Sequence, residues 1–404
     1  MAMTSDPARP LGDSVGRPLP KWPHFDDDER AAVDAVLRSG RVNYWTGTEG
    51  REFERDFAAR FARRHGVALA NGTVALELAL MAVGVGSGDE VVVTPRSFVA
   101  SASCAVSVGA RPVFAEVDRD SQNLTPETIA AAITPRTKAV IAVHLAGWPC
   151  DMPGILEVTR PRGIAVIEDC AQSPGATIDG RPAGAFGDAA AFSFCQDKIM
   201  TTAGEGGMLL IDDDVRWRWA WSYKDHGKSY EKMIAPAHSA GFRWVHDQFG
   251  TNWRLSEVQS AVGRRQLAKL DHWVSIRRSH AARLNYWLGK LAALRIPVAE
   301  PRFGHAYYKY YGFAEPAALA SDWSRDRLLA VLNAAGIPCY SGSCSEIYRE
   351  KAMVDGGLGL AERLPVAREL GDTSLMWLVH PTLSEEDIDW VGEISARIIK
   401  RATR

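Results

Sequence analysis

Lys198 is the one cation between the apolar run AAAFSF at 189 and the glycine cluster GEGG at 204, within the stretch AAAFSFCQDKIMTTAGEGGM. A lysine at random is a surface loop residue, but an amine delivered by a strand end to a glycine hinge can also condense with a carbonyl. Two other segments supply what such chemistry needs. In IAVIEDCAQSPGA an apolar run ends on Glu168 and Asp169, followed by Gln172. Strand side chains alternate, so the two acids face opposite ways. An acid at the carboxyl end of a parallel strand lies where open α/β sheets bind ligands, which makes Asp169 the candidate. In ALANGTVALELAL a short run gives way at Asn71-Gly72-Thr73 to a helical pattern. The unpaired N–H groups of a helix start, with the Thr73 hydroxyl, suit an anion.

An anion cradle, a carboxylate and an amine are the three handles of pyridoxal 5'-phosphate. The phosphate takes a helix N-terminus, the ring nitrogen needs a carboxylate to stay protonated, and the aldehyde forms a Schiff base with a lysine. On this reading Lys198 and Asp169 are catalytic, and the glycines of GEGG let backbone pass close to the coenzyme.

The surrounding elements must position these groups. From about 66 to 211, short apolar runs (VALA, EVVVTP, RPVFAEV, KAVIAVHL, IAVIEDC) alternate with Ala-rich helical segments, which predicts a largely parallel sheet with crossover helices on both faces. GVGSG at 84–88 mimics a dinucleotide loop, but it follows a helix pattern and precedes a strand, so it reads as a turn. FDDDERAAVDAVLRSG reads as a helix capped by acids and ended by Gly40 rather than as a metal site. After Asn252 a long charged amphipathic stretch, which suggests one or two extended helices, marks a hinge, and 295–404 reads as a smaller α+β unit with helices at 324–335 and 385–400.

Composition narrows the function classes. The 404 residues hold 47 Lys plus Arg and 49 Asp plus Glu, a formal charge of −2, which gives no electrostatic footprint for nucleic acid. Six cysteines without CxxC spacing fit reduced thiols, and no metal is expected. MAMTSDPARPLGDSVGRPLPKWP lacks a continuous apolar core, and no later stretch approaches the roughly 20 apolar residues a membrane helix needs. A cytoplasmic protein off the membrane is expected.

From Trp22 onward the chain resembles the DegT/DnrJ/EryC1/StrS sugar aminotransferases, in TGTEGREFERDFA, ANGTVALELAL, IEDCAQSPGA, AFSFCQDKIMTTAGEGGM, FGTNWRLSEVQSAVG and LVHPTLSEEDI, in that order. The resemblance implies an α/β type I pyridoxal-phosphate aminotransferase fold. Residues 1–20 would form a flexible arm, 21–250 a large coenzyme-binding domain with a mostly parallel sheet, and 251–404 a small C-terminal α+β domain with connecting helices. It implies that Gly72, Thr73 and Ser193 hold the phosphate and that Phe98, in PRSFVA, stacks on the ring. Asp169 would pair with the ring nitrogen, Gln172 would bond near the ring hydroxyl, and Lys198 would hold the aldehyde and shuttle protons. Asn252 would cross from a neighbouring subunit to the phosphate, giving a homodimer with shared active sites. The implied reaction passes an amino group from an amino acid, glutamate in most of the family, to a keto sugar on a nucleotide diphosphate, with ping-pong kinetics.

Some members with histidine at the lysine position are sugar dehydratases; this chain keeps lysine. A keto cyclitol is an alternative acceptor, and a coenzyme-binding regulator is the non-enzymatic alternative. The segment YSGSCSEIYREKAM at 340–353 is expected to border the sugar pocket, with Cys344, Glu346 and Tyr348 as candidates for setting substrate preference or as ordinary loop residues. Trp253, Arg254 and the HAYYKYY run at 305–311 are candidates for substrate, interface or core.

Overall fold

The computed structural model describes residues 17–235 and 242–404, so positions 1–16 of the expected arm lie outside the described residues. Seven strands form the main sheet: β1 (His65–Leu69), β2 (Glu90–Val93), β3 (Arg111–Phe114), β4 (Thr137–Val143), β5 (Ala165–Asp169), β6 (Ala189–Ser193) and β7 (Gly207–Ile211), in the order β1-β7-β6-β5-β4-β2-β3. Each of the five runs expected between 66 and 170 is a strand. Only β7 runs against the others, pairing antiparallel with both β1 and β6.

The apolar runs are continuous because both faces are covered. Val91, Val93, Ile141 and Ile167 pack on one side with the helices α1 (Gly72–Ala82) and α2 (Ala100–Ser107). Val92, Val140 and Val166 pack on the other with Ile155 and Leu156 of the helix Met152–Thr159.

This topology places the chemistry. The carboxyl ends of β1, β5 and β6 lie at one edge, with β7 between β1 and β6. Gly72 opens α1 just after β1, and Asp169 ends β5. Lys198 lies in the connection from β6 to β7, between those two positions.

A 32-residue helix, α3 (Glu257–Leu288), fills the long amphipathic stretch. Its first part packs Leu270, Trp273 and Val274 against Phe57 and Phe192 beside the main sheet. Its last part packs Ala281, Leu284 and Leu288 into a second core with Tyr310 and Trp377. That core covers a four-stranded antiparallel sheet of β8 (Leu294–Arg295), β9 (Tyr310–Ala314), β10 (Cys339–Tyr340) and β11 (Ser374–Trp377), backed by α4 (Arg325–Ala334) and α5 (Glu385–Ala402).

The acid-rich helix start works as a cap. Asp26 and Glu29 form a reciprocal capping box over the helix Asp27–Ser39, and Gly40 ends it at φ 66°. Lys269 Nζ sits 2.9, 2.6 and 2.8 Å from Asp26, Asp28 and Glu29, so a lysine takes the place a cation would have. All six cysteines are free thiols. Among the described residues no helix is long and apolar enough to cross a membrane.

Candidate active site

A cleft of about 1540 Å³ opens at the carboxyl edge of the main sheet, and Gly72, Thr73, Phe98, Asp169, Gln172, Ser193 and Lys198 all line it. Asn252 does not. It is exposed and lies in a separate hollow with Asn43, Tyr44 and Arg254.

The anion end is built by α1. Asn71 caps the helix, its Oδ1 accepting the N–H of Val74 at 3.0 Å, while the N–H groups of Gly72 and Thr73 have no acceptor within the helix. A Cβ on Gly72 would stand 2.6 Å from Cβ of Ser193, so only glycine lets the helix start approach β6 this closely. Ser193 shares the face of Ala189 and Ala191 on β6, which brings its hydroxyl to the same end of the cleft.

Alternation along β5 separates the two acids. Glu168 points away from the cleft and is fully buried, accepting the N–H groups of Gly184, Phe186 and Gly187, each at 2.7 Å, with His144 Nε2 at 3.1 Å. Burial alone would push its carboxyl up; the bonds from His144, the Arg63 charge and the backbone donors outweigh that and hold it below the usual range. Asp169, 3 % exposed, faces the cleft. The Ser101 hydroxyl donates to its Oδ2 at 2.8 Å, and the N–H of Ala171 reaches its Oδ1 at 3.1 Å. Ser101 escaped notice in the sequence, although it lies three residues from Phe98 and so on the same face of the turn that opens α2.

Phe98 is 66 % exposed inside the cleft and presents a flat apolar ring to it. Gln172 is fixed by accepting the N–H of Ala146 at 2.8 Å. Lys198 is anchored through its backbone: its N–H donates to Cys195 O at 3.0 Å, and its carbonyl accepts the indole N–H of Trp22 at 2.8 Å. Its Nζ stands over the Tyr308 ring, 5.1 Å from the centre.

Several expectations change. Cβ atoms on Gly206 and Gly207 would meet the Thr202 hydroxyl at 2.1 Å and the Asn71 carbonyl at 2.3 Å, so these glycines clear protein rather than ligand. The segment 340–353 does border the cleft, through Tyr340, Gly342, Ser343, Cys344, Glu350 and Ala352, whereas Tyr348 is buried in the core and Glu346 pairs with Arg363 and Arg349. Arg254 is paired with Asp225, and Trp253 packs on the core. From the HAYYKYY run, Tyr308, Lys309 and Tyr311 reach the cleft. Trp22 and Arg277 also line it, and neither carried a local sequence signal.

The donor set fits pyridoxal phosphate: open N–H groups at a helix start, a bare aromatic ring, a carboxylate fixed by two donors, and a lysine across from them. The DegT/DnrJ/EryC1/StrS aminotransferase family matches residues 23–395. The chain is 47 % identical to the aminotransferase from Psychrobacter cryohalolentis, with a TM-score of 0.93 over 95 % of this chain and 100 % of that one. It is 37 % identical to L-glutamine:2-deoxy-scyllo-inosose aminotransferase of Streptomyces kanamyceticus, over 81 % of this chain and 78 % of the relative. It is 35 % identical to UDP-N-acetyl-3-dehydro-alpha-D-glucosamine 3-aminotransferase of Acidithiobacillus ferrooxidans, over 98 % of this chain and 100 % of the relative. Residues 23–395 therefore place the chain in the DegT/DnrJ/EryC1/StrS family, as a pyridoxal-phosphate-dependent aminotransferase of fold type I.

Proposed function

We propose that this enzyme moves an amino group from an amino acid, glutamate by preference, to the ketone of a sugar carried on a nucleotide diphosphate, in a ping-pong cycle. The observation that carries the reading is the convergence of Lys198, Asp169 and the open start of α1 on one cleft. Pyridoxal phosphate, when bound, supplies an aldehyde that takes up the amine and a ring that withdraws electrons from the donor's α-carbon.

Lys198 would hold the coenzyme through its Nζ, which as a free amine would take the proton from the donor's α-carbon and return it in the half-reaction with the ketone. Asp169, kept in place by Ser101 and the N–H of Ala171, would hold the ring nitrogen protonated. The N–H groups of Gly72 and Thr73 and the Ser193 hydroxyl would hold the phosphate, and Phe98 would stack on the ring. Gln172, whose oxygen is taken by Ala146, offers its NH2 near the ring hydroxyl. Asn252, outside its own cleft, serves the phosphate site of a second subunit in a homodimer.

The relative from Acidithiobacillus ferrooxidans supports a nucleotide-linked acceptor by its name. A keto cyclitol is the second reading, favoured by the relative from Streptomyces kanamyceticus. A panel of nucleotide-linked keto sugars and keto inositols separates the two. For the chemistry itself, Lys198→Ala is expected to slow the donor half-reaction, followed by the coenzyme's visible spectrum, by about 10²–10⁴-fold. An unchanged rate removes Lys198 from the mechanism.

A further inference from the structure

We propose that Lys309, backed by the buried Arg277, is the seat of the amino donor's α-carboxylate. This rests on the aminotransferase reading and adds a binding role that the coenzyme anchors do not supply.

Position comes first. Lys309 immediately precedes β9 and lines the same cleft as Lys198. Both ammonium groups stand over the Tyr308 ring, Lys309 at 4.6 Å and Lys198 at 5.1 Å from its centre. The donor's amine nitrogen must take the place of Lys198 Nζ, and the carboxylate is held on the α-carbon bonded to that nitrogen. The diphosphate of a nucleotide sugar is separated from the reacting ketone by ring atoms and the glycosidic oxygen. A cation beside Lys198 is therefore matched to the carboxylate, not to the diphosphate.

Charge is the second argument. Around Tyr308 the cations of Lys198, Lys309 and Arg277 face a single carboxylate, Asp197. That carboxylate already accepts the Tyr308 hydroxyl, and Lys309 Nζ stands 3.7 Å from it, an ion-pair contact longer than a hydrogen bond. Arg277 is 1 % exposed, its guanidinium lies 5.3 Å from the centre of the Trp22 ring, and among the described residues Asp197 is the carboxylate whose charge reaches it, without an ion-pair contact. Its Nη1 donates to the carbonyls of Tyr307 and Tyr308 at 3.4 and 3.2 Å, while Nε and Nη2 have no partner. A buried guanidinium without a carboxylate leaves positive potential directed at its surroundings. An incoming carboxylate completes the set, with Lys309 making the contact and Arg277 supplying field from behind.

The test uses coenzyme-loaded enzyme, two variants, Lys309→Gln and Lys309→Arg, and glutarate as an unreactive dicarboxylate. By calorimetry, Lys309→Gln is expected to weaken glutarate binding at least tenfold and Lys309→Arg to restore most of it. In the donor half-reaction the L-glutamate concentration for half-maximal rate rises by the same factor, with the limiting rate nearly unchanged. The ketone half-reaction of the pyridoxamine-loaded variant keeps its affinity. Unchanged glutarate affinity in Lys309→Gln overturns the proposal, and so does a loss confined to the ketone half-reaction, which assigns Lys309 to the sugar. Borohydride labelling of Lys198 in the unaltered enzyme separates the two levels. If Lys198 labels but glutarate is indifferent to Lys309, only the carboxylate seat fails; if Lys198 does not label, the aminotransferase reading fails first.

Discussion

Glu168 and Asp169 are neighbours in sequence, and the pleat of β5 gives them opposite work. Glu168 is buried against Arg63, His144 and three backbone donors, so removing it strands a network built around a charge. Glu168→Ala is expected to cost about 3–5 kcal/mol of unfolding free energy, read by denaturant titration. Asp169→Asn should leave stability nearly untouched yet weaken coenzyme retention and slow proton abstraction; a full rate in that variant removes Asp169 from the mechanism. Lys309 adds a pH signature. Burial, only partly offset by Asp197 and reinforced by Arg277 and Lys198, depresses its ammonium to about 8. The charged form binds an anion, so the seat is full below that value and empties as pH rises through it. Half-saturation by L-glutamate should climb up to about tenfold per pH unit above about 8 in the unaltered enzyme. It should stay flat in Lys309→Gln. Lys198 and Asp169 were legible in the sequence because strand alternation and chain order are local properties. Arg277, Trp22 and Ser101 were not, and Lys309 was marked only as part of the HAYYKYY run, because what they face is decided by packing between segments as far apart as residues 22 and 198.

At the scale of elements, the anion cradle depends on how closely α1 and β6 approach. Gly72→Ala puts a Cβ 2.6 Å from Cβ of Ser193 and must push the helix start off the strand. Coenzyme affinity is expected to fall on the order of tenfold, equivalent to about 1.4 kcal/mol, with the fold retained by circular dichroism. Unchanged coenzyme affinity contradicts the cradle. The strands and the capped helices were readable from their periodicity and end signals, and the 32-residue α3 followed from its amphipathic length. Two of the three glycines of GEGG clear protein instead, because a sequence shows that backbone comes close without showing to what. At Gly206 and Gly207 the neighbours are Thr202 and Asn71.

At the scale of the molecule, Asn252 is the residue we propose ties one cleft to another copy of the chain. It is exposed beside Arg254 and apart from its own chain's coenzyme groups. If two subunits share sites, Lys198→Ala and Asn252→Ala are each inactive alone, and unfolding and refolding them together recovers about one quarter of the specific activity, since half the dimers carry one intact site. No recovery on mixing means each chain completes its own site. The proposed assembly rests on family resemblance, because a single chain's periodicity carries no record of a second copy. The measurement that bears most directly on the whole account is borohydride reduction of the coenzyme-loaded enzyme followed by peptide mass spectrometry. The expected result is the coenzyme's mass on the peptide carrying Lys198; label on Lys309 or another lysine, or none on a protein that retains coenzyme, contradicts it.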